Sequence, residues 1–152
     1  MNKKDILHYL KKVNKHIDYK VGDWVETCNM LPGIVQEINN YYDPRKNMQC
    51  FVEDVIIYYP HYAVENPDYK GGSSCSITCC GVHEISQEYA KMLFSLGYDK
   101  LVKMWNESKW EDNEISWDNF VKKEYDKLSD DEKINGIKLF NIGEEYSRKI
   151  KK

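Results

Sequence analysis

No part of this sequence is long and apolar enough to cross a bilayer. A membrane-spanning helix needs about 20 consecutive apolar residues, and no stretch of the chain approaches that length. The N-terminal segment also lacks the uninterrupted apolar run of a secretory signal. We therefore expect a cytoplasmic protein without a membrane span.

The cysteines lack the pattern of a disulfide framework or of a zinc site. They number five, an odd count, and none forms a Cys-x-x-Cys knuckle. On a straight strand Cys75 and Cys79 would lie roughly 13 Å apart, at about 3.3 Å per residue, so one ion could not bind both. The adjacent Cys79 and Cys80 would point to opposite faces. We expect free thiols, no metal site and no cofactor.

A continuous basic surface is missing as well. The net charge is +4 over residues 1–22, −6 over residues 23–85 and −1 over residues 86–152. Proteins that bind duplex nucleic acid displace counterions with a stripe of Lys and Arg, and only the N-terminal segment is basic. Nucleic acid is therefore a disfavoured partner. A DNA-associated factor has weak support, since the spacing around Gly97 does not match a helix-turn-helix.

What is present suffices for one domain, or for one domain with an appendage: 152 residues, 41% of them hydrophobic. Residues 1–19 are predicted to form an N-terminal amphipathic helix, because Ile6, Leu10, Val13 and Ile17 recur at helical spacing opposite a lysine face. We interpret it as a helix packed on the domain. A helix for a membrane surface or an acidic partner is the alternative.

Residues 20–85 change to the pattern of strands. Strands are predicted over residues 24–28, 34–38, 49–59 and 75–82, with a polar turn at Asn39–Asn40 and a loop over residues 61–74. The pattern indicates a strongly bent antiparallel sheet or a small barrel. Trp24 and Ile34 are predicted to lie in its core.

The start of this region resembles a known family of small barrels. The string Val21-Gly22-Asp23-Trp24-Val25, followed by Gly33-Ile34-Val35, is similar to the opening hairpin of SH3-like barrels of the KOW type. Gly22 permits a turn into a bent strand, and Gly33 permits the backbone conformation where the next strand begins. The resemblance covers residues 20–39. It implies an SH3-like β-barrel over residues 20–85 that binds through aromatic-lined grooves.

Residues 86–152 read as a helical region packed on that barrel. Ser86, Ser116 and Ser129 are predicted to cap helices, and Ser129 with Glu132 forms a capping-box pattern. Gly97 is predicted to break or kink the first helical stretch. The fold class is therefore α+β: an N-terminal helix, a bent sheet or barrel, and a C-terminal helical region. No linker composition separates the last two parts, so we expect one compact unit.

Tyrosines are concentrated in the acidic middle of the chain. Tyr41, Tyr42, Tyr58, Tyr59 and Tyr62 fall in loops or near strand ends. Tyrosine offers a large, stiff contact area with a polar tip, which suits recognition surfaces. We expect these five residues to form a binding surface for a protein partner in a non-enzymatic binding or adaptor module. Alternatively, the rings cover the ends of the barrel and dock the helices.

One enzymatic alternative depends on cysteine. Cys79 or Cys80 would act as nucleophile in a small hydrolase or transferase, with His61 or His83 as the base. That chemistry needs a thiol of lowered pKa and a histidine within hydrogen-bonding reach. No catalytic signature surrounds either cysteine, so the sequence favours the binding module.

Overall fold

The structure is a computed structural model of the chain. It describes residues 19–27, 29–42, 51–76, 82–107 and 116–151, and at residues 40–42, 51–54, 75 and 76 it describes the backbone alone. The helix predicted over residues 1–19 falls almost entirely outside these ranges and stays a prediction. Residues 77–81 of the strand predicted over residues 75–82 also lie outside these ranges, so that part of the strand stays a prediction.

Five antiparallel strands form one sheet in the spatial order β4-β3-β2-β1-β5. The first four strands pair in chain order, and β5 returns to the other edge of β1. Trp24 lies opposite Ile34 in the register of β1 and β2. A bulge between Val35 and Glu37 interrupts the pairing of β2 with β3 and increases the local twist. The strands are β1 (Trp24–Glu26), β2 (Gly33–Tyr42), β3 (Phe51–Tyr58), β4 (Ser73–Ser76) and β5 (His83–Glu84).

At the centre of the sheet, where β1, β2 and β3 pair, residues on both faces are buried. Successive residues of a strand point to opposite faces. Ile34 therefore packs towards the helices with Trp24, whereas its neighbour Val35 joins Val25 and Ile57 in a second cluster on the other face. The burial of Trp24 (4% exposed) and of Ile34 confirms that both are core residues.

Five helices complete the described fold, and their ends follow the capping signals. The hydroxyl of Ser86 accepts a hydrogen bond from Tyr89 N at 3.1 Å, and Ser116 and Ser129 act likewise, Ser129 in a full capping box. These caps and the break at Gly97 confirm the predictions. In the described part of the chain, no helix is apolar enough over a sufficient length to cross a membrane. The helices are α1 (Pro60–Glu65), α2 (Gln87–Leu96), α3 (Tyr98–Glu107), α4 (Trp117–Asp126) and α5 (Asp130–Ile150).

The long helix α5 joins the helical region to the sheet. Its Phe140 stacks on Trp24 with ring centroids 5.3 Å apart, and Glu144 Oε1 accepts a hydrogen bond of 2.6 Å from Trp24 Nε1. One turn further on, the buried Ser147 hydroxyl donates to the carbonyl oxygen of Gly22 at 2.6 Å. Sheet and helices therefore share one core, and the α+β class is confirmed.

Two local predictions were wrong. The polar turn at Asn39–Asn40 is part of β2, because both residues pair with Asp54 and Glu53 of β3 in a long hairpin. The predicted loop over residues 61–74 begins with helix α1, which Pro60 starts at a position where its missing N–H costs nothing. Cross-strand pairing overrides the turn preference of asparagine in the first case.

Candidate functional site

The five tyrosines predicted to form one binding surface have different surroundings. Tyr58 and Tyr59 are buried, with 8% and 5% of their surface exposed, whereas Tyr62 is 36% exposed. Tyr41 and Tyr42 lie at the end of β2, where the backbone alone is described. An open surface made of all five rings is therefore incompatible with the described residues.

The burial of Tyr58 and Tyr59 has a simple physical cause. Tyr58 stacks on Tyr146 of α5 with ring centroids 3.8 Å apart, as expected of a ring that docks a helix. Tyr59 points to the other face, and its hydroxyl lies 2.8 Å from Thr27 Oγ1. Adjacent residues of an extended segment face opposite ways, and each ring packs into the apolar cluster on its own face, which leaves little of it exposed. Both tyrosines are core residues and leave the predicted recognition surface.

An open groove lies beside Tyr62, and we call it the Tyr62 groove. It forms where α1, the junction of α2 with α3, and the first turn of α5 meet. Its volume is about 740 Å³, within the range of ligand-binding clefts. The polar and aromatic residues that line it are His61, Tyr62, Glu65, Tyr98, Asp99, Lys100 and Glu132.

Contacts on several sides fix the Tyr62 ring. Asn29 Nδ2 donates a hydrogen bond of 2.9 Å to the Tyr62 hydroxyl. The ring centroid lies 4.2 Å from that of His61, and the rings of Tyr59 and Tyr69 meet it nearly at right angles. A ring that is held in place and still exposed loses little conformational entropy when a ligand covers it.

Tyr98 supplies a second exposed ring to the same groove. It is the first residue of α3 and follows Gly97, whose φ of 83° belongs to the region that favours glycine. The change of direction at Gly97 ends α2 and leaves Tyr98 52% exposed. The predicted break at Gly97 is confirmed. The sequence did not identify Tyr98, the next residue, as an exposed aromatic.

The charges in the groove are mainly negative. Glu65, Asp99 and Glu132 contribute three carboxylates, and Lys100 contributes one ammonium group. The backbone N–H and then the hydroxyl of Ser129 hold the pKa of Glu132 below its usual value, with a smaller contribution from Lys100. Glu132 is therefore ionised at neutral pH.

His61 lines the groove in its neutral form. Burial lowers the pKa of its imidazole, against a smaller opposing effect of Glu65. Its Nδ1 is buried and has no hydrogen-bond partner among the residues that the structure describes. The imidazole therefore adds no positive charge to the groove at neutral pH.

The residues of the cysteine-dependent alternative are not brought together in the described structure. His61 lies in the Tyr62 groove and His83 on the exposed strand β5, while Cys79 and Cys80 lie outside the described residues. Among the side chains that are described, no group of three His, Cys, Asp or Glu could hold a metal ion. The hydrolase or transferase alternative stays a prediction.

A second group of titratable side chains lies between the sheet and α4. Burial, and secondly the charge of Asp118, raise the pKa of Glu26 to about 7. Burial also raises the pKa of Tyr89, and the charges of Glu26 and Asp118 raise it further. Sequence reasoning missed this group, since its three members are far apart in the chain and belong to no motif.

Comparison with protein-family models, with curated proteins and with solved structures finds no significant match to this chain. The residues and their geometry are thus the basis for assigning a function.

Proposed function

We propose that this chain is a non-enzymatic binding or adaptor module that recognises a protein partner through the Tyr62 groove. The observation that carries the proposal is the presence of two exposed tyrosine rings, Tyr62 and Tyr98, in one open groove. Exposed aromatic rings in a concave site commonly supply most of the binding energy of protein interfaces. Of the five tyrosines predicted from the sequence, the proposal retains Tyr62 and leaves Tyr41 and Tyr42 untested.

We propose further that residues 20–85 form an SH3-like unit of the KOW type. The turn at Gly22 supports this proposal, because Gly22 N donates to Val35 O at 2.8 Å and Val35 N donates to Asp23 O at 3.0 Å. The bulge after Val35 supports it because a bulge bends the strand that contains it. The pairing of β5 with β1 also supports it, because it brings the last strand of this region back to the first. In a barrel the sheet curves so that its two edges approach each other. An experimental structure with a flat sheet, in which β5 lies far from β3 and β4, would contradict the SH3-like proposal.

A pair of matched variants tests the binding function. Partners cross-linked to the wild-type protein in its native cell extract would be identified, purified and titrated against Tyr62→Ala/Tyr98→Ala. We expect a loss of about 2 kcal/mol or more, or at least 30-fold in affinity, if either ring is a hot spot. Val64→Ala is the control, because Val64 is exposed on α1 but does not line the groove.

Two outcomes decide the question. The double variant must keep the melting temperature of the wild type within a few degrees, which shows that the loss is one of contact and not of folding. Equal affinity of the wild type and the folded double variant for every purified partner would refute the proposed function.

A further inference from the structure

We propose that the Tyr62 groove takes a partner segment that carries an arginine or lysine side chain. This inference rests on the proposed function and adds the chemistry of the partner to it. It follows from three features of one groove: carboxylates that form no ion pair with a described residue, exposed aromatic rings, and limited volume.

The carboxylates supply the first argument. Lys100 is a cation that lines the groove together with Glu132 and slightly favours its ionised form, so it can balance at most one of the three carboxylates. Glu65 at the end of α1 and Asp99 in the first turn of α3 remain, and neither forms an ion pair with a residue that the structure describes. With His61 neutral, the groove has an excess of negative charge that a cationic side chain would balance.

The aromatic rings supply the second argument. A cation over the face of a tyrosine is attracted by the quadrupole of the ring. Tyr62 and Tyr98 line the same groove as Glu65 and Asp99, and the proposed cationic side chain would contact a ring and a carboxylate together. Arginine fits this arrangement better than lysine, because its planar guanidinium group stacks on rings and binds carboxylates through two parallel hydrogen bonds.

Size and charge disfavour other occupants. A groove of about 740 Å³ holds a few side chains of an extended segment and not a folded surface. An acidic or phosphorylated segment would place its anion near Glu65 and Asp99, and Lys100 is the one cationic side chain among the described residues that line the groove. A purely apolar segment would leave both carboxylates desolvated and unpaired, which is costly.

A random peptide library displayed on phage tests the inference on the full-length protein. Peptides selected on the wild type should be enriched at least threefold in Arg or Lys at one position, with Arg exceeding Lys. Synthetic fluorescein-labelled copies of these peptides would then be titrated against three folded double variants, at low salt and at 0.5 M NaCl. The variants are Tyr62→Ala/Tyr98→Ala, Glu65→Gln/Asp99→Asn and the charge-matched control Asp68→Asn/Asp126→Asn.

We expect the Glu65→Gln/Asp99→Asn variant to bind at least tenfold more weakly at low salt, and the control to bind like the wild type. The difference should shrink in 0.5 M NaCl, because salt screens exposed charges. This inference alone would be overturned by peptides that need Tyr62 and Tyr98 but are not enriched in Arg or Lys. Equal binding of the peptides to the Glu65→Gln/Asp99→Asn variant and to the control would also overturn it alone. Peptides that bind the Tyr62→Ala/Tyr98→Ala variant as well as the wild type would overturn the proposed function together with it.

Discussion

Glu26 shows how the fold changes the properties of a single residue. It belongs to β1, and burial together with the nearby Asp118 raises the pKa of its carboxyl group to about 7. In the unfolded chain the same group titrates near 4.5. The folded protein therefore keeps a proton on Glu26 over a pH range in which the unfolded chain has lost it.

The contribution of Glu26 to the stability of the protein should consequently fall as the pH rises from about 4.5 to about 7. Over that range the folded state binds one proton more than the unfolded state, so raising the pH favours unfolding. The variant Glu26→Gln stays neutral at every pH and should be more stable than the wild type at pH 8. Guanidinium unfolding at pH 5 and pH 8 measures both effects.

Glu84→Gln is the control for this prediction, since Glu84 is an exposed glutamate on the neighbouring strand β5. It should leave the pH dependence of the wild type unchanged. Equal slopes of stability against pH for the wild type and Glu26→Gln would show that Glu26 ionises normally in the folded protein.

At the level of single residues, the sequence predicted the core better than the surface. Trp24 and Ile34 were identified because large apolar residues in a strand pattern are seldom exposed. Tyr58 and Tyr59 were not, since a tyrosine is as compatible with a binding surface as with a buried ring that has a polar tip. Tertiary contacts distinguish the two interpretations: Tyr146 stacks on Tyr58, and the Tyr59 hydroxyl lies against Thr27.

At the level of elements, helix α5 docks closely because small residues face the sheet and α2. Gly136, Gly143 and Ser147 are buried on one side of this helix. A Cβ atom on Gly143 would overlap the indole of Trp24 and press on Pro60, and one on Gly136 would overlap the backbone of Ser95. Glycine thus has a packing role here that outweighs its low helix propensity.

Gly143→Ala should therefore destabilise the protein by about 1–3 kcal/mol, the usual cost of overpacking a core. Alanine is intrinsically better in a helix by about 1 kcal/mol, so a purely local effect would have the opposite sign. Chemical denaturation measures the change. Asn141→Ala, at an exposed position of the same helix, should change stability by about 0.5 kcal/mol or less.

The elements that could be predicted were those with local signals. Serine caps and the break at Gly97 depend on neighbouring residues, and all of them are present. Helix α1 was missed because six residues form too short a pattern. The full length of β2 was missed because its pairing with β3 is not a property of Asn39 and Asn40 themselves.

At the level of the whole molecule, the Tyr62 groove was beyond sequence reasoning. Its walls come from α1, from the junction at Gly97 and from the start of α5, which tertiary packing alone brings together. Exposed aromatic and acidic residues in these three places have no common spacing. A search for tyrosines or acidic residues directly after helix breaks would have found Tyr98 and Asp99, but not their neighbours in space.

The shared core predicts that the sheet and the helices unfold together. A variant with Trp105, Trp110 and Trp117 replaced by Phe keeps Trp24 as a fluorescent probe of the sheet, while far-UV circular dichroism follows mainly the helices. We expect both probes to give the same denaturation midpoint. Two separate midpoints would show that residues 20–85 and 86–152 are independent domains. The wild type, measured by circular dichroism, is the control that shows whether the three substitutions themselves change the midpoint.

The contact between Trp24 and Glu144 also bears on how the chain folds as it is synthesised. These residues are 120 positions apart, and ribosomes add about 5–20 residues per second, so roughly 6–24 seconds separate their appearance. Throughout that interval the indole lacks its stacking partner Phe140 and its hydrogen-bond acceptor. The nascent hairpin of β1 and β2 therefore cannot complete the packing of Trp24 until the residues of α5 have been synthesised.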